Sequence, residues 1–231
     1  MKIITNEKLI KRNKTIGQVT TIASLLILGA GLYVSFTDTS GSLISITFGA
    51  LIFGFLLSQV GIYFGNRWGK SPRPDEKLTA ALKGLDDRYT LYHYYGPVSH
   101  LLLGPSGVTP LLPYSQSGKI LFDAKRGRWT QKGGNLYLKL FGQEGLGRPD
   151  MEVRYNTDDL TKFLTKNSIE PLPPIQPVLV FLNPKAELEV ADAAAPTLDV
   201  DKLKDWVRKH SKEGAIPSAQ QKRIEALFPQ E

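Results

Sequence analysis

The stretch from Thr15 to Thr37, TIGQVTTIASLLILGAGLYVSFT, contains no charged residue, and neither does Thr39 to Asn66, TSGSLISITFGALIFGFLLSQVGIYFGN. These runs of 23 and 28 residues both exceed the ~20 that a helix needs to cross a bilayer core. Asp38 alone separates them. Two transmembrane helices, 15–37 and 43–66, joined by an external turn at 38–42, are the expected arrangement.

Charge sets the expected orientation. Residues 1–14 carry Lys2, Lys8, Lys11, Arg12 and Lys14 against Glu7, and Arg67, Lys70 and Arg73 follow the second run. The connecting turn has no Lys or Arg. Positive residues favour the cytoplasmic side, so both termini and the remaining chain are expected there, in a multi-pass protein of the cell membrane. The competing reading of the first run is a cleaved signal peptide, which also follows a basic stretch. The length of the run and the second span close behind it favour a hairpin. No ionisable residue lies within either span, which leaves an ion or proton pathway without side chains to build it.

The second span carries Ala50, Gly54 and Ser58 four residues apart, then Gly61 and Gly65. Small residues at this spacing let helix backbones approach closely. They serve either packing against the first span, which offers Gly29, Gly31 and Ser35, or homo-oligomerisation between chains. Packing within the hairpin is the preferred expectation.

The 231 residues have a formal net charge of +7 and no cysteine. From Pro74 onward there are 21 basic and 20 acidic residues, so most of the excess belongs to the membrane flanks. This removes the simplest argument for a polyanion-binding domain. The lack of cysteine excludes disulfides and thiolate chemistry. His93, His100 and His210 show no metal-ligand spacing.

Beyond the linker Ser71-Pro-Arg-Pro74, a helix is expected over 75–85, with Leu78, Ala81, Leu82 and Leu85 on one face. Strands follow at 89–94, 100–103, 108–112, 119–122 and 135–141, separated by Gly, Pro and Ser. A helix capped by Asn156, a strand over 177–182 and a short run at 187–190 come next. A helix over 200–210 and a shorter one capped by Ser218 close the chain. This alternation predicts a mixed α/β domain over 71–190 with a C-terminal helical segment over 191–231. Tyr92, Tyr94, Tyr95 and Tyr114 read as half-buried strand residues with hydroxyls in water.

Glu76 opening a helix, then Tyr89-Thr-Leu-Tyr-His, Val98-Ser-His-Leu-Leu-Leu-Gly-Pro-Ser-Gly-Val108 and Ser117-Gly-Lys-Ile120, resembles the nuclease-related domain (NERD) family over about residues 72–190. The resemblance implies a restriction-endonuclease-like core, a mixed sheet flanked by helices, and a PD-(D/E)xK constellation. In that chemistry two carboxylates hold Mg²⁺, which activates water, and a lysine supplies a point charge. The family's Asp position is Ser99 here, and its Glu and Lys positions fall at Leu112 and Tyr114. Glu76 matches the family's remaining acidic position, although an acidic residue also suits a helix N-terminus. The resemblance therefore implies a membrane-anchored pseudoenzyme: a binding module without cofactor at the cytoplasmic face, with an unidentified protein partner besides the lipid bilayer. The rival is a Mg-dependent nuclease with a rearranged site drawing on Lys119, Asp123, Asp86 and Asp87. A third reading is nucleic-acid binding without cleavage by Lys125, Arg126, Arg128 and Trp129. That cluster also reads as a solvated hairpin turn, with the acidic run at 187–201 available to pair with it.

Overall fold

A computed structural model describes residues 1–134, 145–211 and 215–230. The expected strand at 135–141 lies outside the described residues. The chain forms two compact units: Glu7–Arg73, and Met1–Asn6 together with the chain from Pro74 onward.

The first unit is a pair of helices, α1 (Glu7–Thr37) and α2 (Ile44–Phe64), followed by a π-helical turn over Gly65–Gly69. α1 begins two turns before the uncharged run, so the basic residues from Lys8 to Lys14 are helical. At 1.5 Å per residue α2 is about 32 Å long, the thickness of a bilayer core. Both helices are long and apolar enough to cross a membrane. Their outward side chains are bare, with Leu26 69%, Phe36 79% and Phe48 64% exposed.

Small residues bring the two helices together. A Cβ on Gly54 would lie 2.8 Å from Leu28 Cγ, one on Gly31 would lie 3.1 Å from the Ala50 Cβ, and one on Gly61 would collide with Thr21. Ala50, Gly54 and Gly61 thus face α1, whereas the Ser58 hydroxyl donates to Phe55 O on its own helix. Asp38 closes the turn between the helices. Its carboxylate accepts hydrogen bonds from Ser40 Oγ at 2.7 Å and Leu43 N at 2.6 Å. Those bonds, the Ser40 hydroxyl's first and the Leu43 amide's second, hold the carboxyl below its ordinary value.

The second unit is built on a six-stranded sheet. Its strands are β1 (Lys2–Thr5), β2 (Thr90–His93), β3 (His100–Gly104), β4 (Gly107–Tyr114), β7 (Val178–Phe181) and β9 (Thr197–Asp199), in the spatial order β1-β2-β3-β4-β7-β9. β2, β3 and β4 form an antiparallel meander, while β1, β7 and β9 each join parallel to a neighbour. A smaller sheet has the order β6-β5-β8, from β5 (Gly118–Asp123), β6 (Arg128–Lys132) and β8 (Ala186–Glu189).

Strand periodicity divides the core between the faces of the large sheet. Leu91, Leu102, Leu111, Val178 and Val180 point to one side, where α3 (Pro74–Leu82) contributes Leu78 and Leu82, and α5 (Leu203–His210) contributes Leu203 and Val207. Ile4, Tyr92, Leu101, Leu103 and Val108 point to the other. There α4 (Pro149–Lys166) brings Leu160 and Leu164, and α6 (Ser218–Glu225) brings Ile224. The small sheet packs through Ile120 against Leu112, Tyr114, Leu179 and Phe181. The result is three layers, helices on both faces of a mixed sheet.

Several expectations need correction. α4 starts at Pro149, with Arg148 as the residue before it, so Asn156 is mid-helix, its Nδ2 donating back to Glu152 O at 2.8 Å. The residue before α6 is Pro217, and no side chain caps that helix. Arg128–Lys132 is a full strand. Residues 2–5, expected only as part of a basic tail, are a strand with Ile4 4% exposed. The segment beyond 190 belongs to the domain: β9 extends the sheet, and Lys204 and Arg208 donate to the carbonyls of Lys83 and Gly84 at the end of α3.

Candidate functional site

The positions aligned with the nuclease pattern fall on α3, β3 and β4. Glu76 lies in the first turn of α3 and is partly buried. Ser99 immediately precedes β3, and its carbonyl accepts from Tyr94 N at 2.6 Å. Leu112 and Tyr114 are 6% and 5% exposed on β4. The Tyr114 ring stacks on Phe181 with centroids 5.2 Å apart, and its hydroxyl donates to Glu152 of α4 at 2.8 Å. Burial, then the Glu152 charge and the hydrogen bond to it, push the Tyr114 hydroxyl well above its ordinary pKa. A neutral, sequestered phenol stands where the pattern has a lysine.

Beside these positions lies a buried polar cluster that the sequence reading missed. His93 and His100 are cross-strand partners in the β2–β3 register, each 1% exposed. Their Nδ1 atoms are 2.8 Å apart, and His93 Nε2 is 2.9 Å from Thr79 Oγ1 on α3. An Nδ1–Nδ1 contact holds one proton, since one nitrogen must donate and the other accept. Two neutral arrangements satisfy it. Either His93 Nδ1–H donates to His100 and Thr79 donates to His93 Nε2, or His100 donates and His93 Nε2–H donates to Thr79. Charging both rings would set two N–H groups against each other.

Next to the pair, the Tyr94 hydroxyl donates to Asp75 Oδ1 at 3.0 Å, and Asp75 is 3% exposed in the first turn of α3. The Tyr94 ring also meets His100 edge-on at 4.9 Å. Tyr94 has φ +62°, a left-handed conformation that costs a non-glycine residue ~1–2 kcal/mol. The surroundings hold it there: its N–H bonds Ser99 O, its carbonyl accepts from Asn6 Nδ2 at 3.3 Å, and Asn6 N bonds His93 O at 3.0 Å. The end of β1 therefore ties directly to the cluster. The tyrosine hydroxyls at 94 and 114, expected in water, instead donate to the buried carboxylate of Asp75 and to the carboxylate of Glu152, an exposed residue of α4.

The residues considered for a relocated nuclease site do not gather. Asp123 organises the β5–β6 turn, its Oδ1 accepting from Lys125 N and Arg126 N at 3.0 and 3.2 Å. Lys119 pairs with Glu189 of β8 at 2.6 Å, and this bond raises its pKa. Asp86 pairs with Arg88 at 2.7 Å, and Asp87 is 3.2 Å from the terminal ammonium. Among the described residues no three His, Asp or Glu side chains form a group able to hold a metal ion.

Lys125, Arg126 and Arg128 are exposed around the β5–β6 turn. Trp129 lies on β6 with its ring 5.1 Å from Phe122, partly buried against the small-sheet core. Of the acidic run at 187–201, Glu189 takes Lys119 and Asp199 takes Lys202 at 3.1 Å, so neither pairs with the basic turn. Between β8 and β9 runs a groove of about 880 Å³, lined by Phe122, Leu188, Val190 and Leu198 among acidic side chains.

Compared with known proteins, the chain matches no family model, no curated protein and no solved structure.

Proposed function

We propose that the protein is a membrane-tethered, nuclease-related domain of the NERD type that acts as a non-catalytic interaction module at the cytoplasmic face. The observation that carries this reading is the packing of Leu112 and Tyr114. Both side chains are built into the apolar cluster beneath the small sheet, and the Tyr114 hydroxyl is committed to Glu152. The order of helix, three-stranded meander, helix and parallel strand (α3, β2–β4, α4, β7) agrees with a restriction-endonuclease-like core. The adjoining space is taken up by the His93–His100 pair and the Asp75–Tyr94 bond.

The sheet also supports the orientation. β1 precedes the first span and β2 follows the second, yet the two pair from Lys2↔Thr90 to Thr5↔His93. A hairpin that crosses twice leaves both on one side, and the basic flanks make that side cytoplasmic. The pairing also requires β1 to stay attached, which disfavours cleavage of the first run as a signal.

The test is nuclease activity of the full chain in detergent with Mg²⁺ or Mn²⁺ on single- and double-stranded DNA and RNA. No metal-dependent cleavage is expected. Cleavage that disappears in Glu76→Ala or Asp123→Ala would establish the rearranged nuclease instead. The exposed Lys125, Arg126 and Arg128 favour a second reading, nucleic-acid binding without cleavage. It requires affinity that falls steeply with salt and collapses in the Arg126→Ala, Arg128→Ala double variant.

A further inference from the structure

The helical hairpin contains a groove of about 250 Å³ lined by Lys14, Gly17, Gln18, Thr21 and Ile22 of α1 with Gly65 and Gly69 of the π-helical turn. The α1 residues follow i, i+3, i+4, i+7 and i+8, a single helix face. From Lys14 to Thr21 that face descends about 10 Å, from the last charged residue into the uncharged run. Three glycines supply walls without side chains, and Thr21 donates its hydroxyl to Gly17 O at 2.7 Å, so it adds no free polar group.

Polar groups occur only toward the mouth. Lys14 has no ion-pair partner among the described residues, and Lys11 lies one turn above it. Lys70 directly follows the lining residue Gly69. Gln18, one turn (about 6 Å) deeper than Lys14, has no side-chain hydrogen-bond partner among the described residues. Cation, then amide, then apolar notch repeats the order phosphate, glycerol ester, acyl chain in a phospholipid.

We infer that this groove binds an anionic phospholipid, with the phosphate at Lys14 beside Gly69, an ester carbonyl accepting from the Gln18 amide over Gly17 and Gly65, and one acyl chain continuing along Thr21 and Ile22. The inference rests on the membrane-hairpin reading. A chain stripped from membranes by alkaline carbonate would defeat that reading, whereas a retained chain without lipid preference would defeat this inference alone.

The test uses the full chain in phosphatidylcholine bilayers, with trace spin-labelled phosphatidylglycerol or phosphatidylcholine and the motionally restricted fraction as readout. Gly65 has φ −62° and ψ −43°, and a Cβ there meets nothing within 4 Å. Gly65→Leu therefore fills the notch without strain. Gly29→Leu, also in open space, adds the same bulk elsewhere on the hairpin. Wild type should prefer phosphatidylglycerol several-fold, and Lys14→Gln should lower that preference roughly fivefold. Gly65→Leu should abolish it, and Gly29→Leu should leave it intact. Equal association of the two lipids with wild type overturns the inference. So does a preference that survives Gly65→Leu, because basic surface charge alone would then account for it.

Discussion

Replacing Ile4 by alanine tests whether the segment ahead of α1 is part of the folded domain. Ile4 is 4% exposed and packs with Tyr92, Leu101 and Leu103, while Ile3 is 45% exposed on the opposite face of the same strand. Removing a buried isoleucine side chain to Cβ costs ~2–5 kcal/mol, and an edge strand with room to relax lies at the lower end, about 2–3 kcal/mol. The same change at Ile3 should cost less than ~0.5 kcal/mol. With a urea dependence of about 2 kcal/mol per molar, Ile4→Ala lowers the midpoint by about 1–1.5 M and Ile3→Ala hardly moves it. The assay is urea unfolding of the detergent-solubilised chain, followed by fluorescence of Trp129 and Trp206. The contrast between neighbours is decisive, because a one-residue slip of β1 would exchange their roles. Equal effects at both positions, or a larger effect at Ile3, would refute the β1–β2 register and with it the structural link across the hairpin.

Other predictions concern the buried polar groups and the hairpin turn. Tyr114→Phe deletes a hydrogen bond to a carboxylate and should destabilise the domain by ~1.5–3 kcal/mol in the same unfolding assay, an effect absent in Tyr155→Phe, whose side chain is exposed. His93→Phe removes the partner of both Thr79 and His100 and should cost ~1–3 kcal/mol. In the wild type, ¹⁵N spectra of labelled histidine should never show His93 and His100 both doubly protonated while the domain is folded, because their facing Nδ1 atoms share one proton. The Asp38 carboxyl is held low in the folded turn, so its contribution is present above the unfolded value and is lost as pH falls through the folded one. Exchange of the Leu43 amide should therefore accelerate below about pH 4 in wild type and show no such acid step in Asp38→Asn. Burial, followed by the charge of Glu225, pushes the Tyr92 hydroxyl up to about 12. The native state then holds that proton while the unfolded chain releases it, so stability falls as pH rises from about 10 to 12. Tyr92→Phe should flatten this alkaline loss.

The two long apolar helices, the central strands and the helix over 203–210 were legible because each shows a simple local pattern. The uncharged runs exceed a bilayer thickness, Leu101-Leu102-Leu103 and Val178-Leu179-Val180 are buried on both faces, and Leu203 and Val207 share one helix face. The strand at Lys2–Thr5 was hidden because its four residues are too few to show alternation, and its partner lies 88 positions away. The start of α4 was misplaced because Asn156 resembles a cap, whereas Pro149 at the first helical position was the better signal. His93 and His100 were passed over as unrelated. Counting from the Gly96-Pro97 turn in both directions would have placed them opposite each other at the turn end of the hairpin. The contact between Tyr114 and Glu152 follows from the packing of α4 against the strands, which no local pattern encodes.

The most direct test of the account is the topology of the chain, which its lack of cysteine makes simple to read. Single variants Lys2→Cys, Thr39→Cys and Lys125→Cys, all at exposed positions, are treated with a membrane-impermeant maleimide in intact and permeabilised cells. The account predicts that Thr39→Cys reacts in intact cells, while Lys2→Cys and Lys125→Cys react only after permeabilisation. Labelling of residues 2 and 125 from opposite sides, or protection of all three in intact cells, would contradict it.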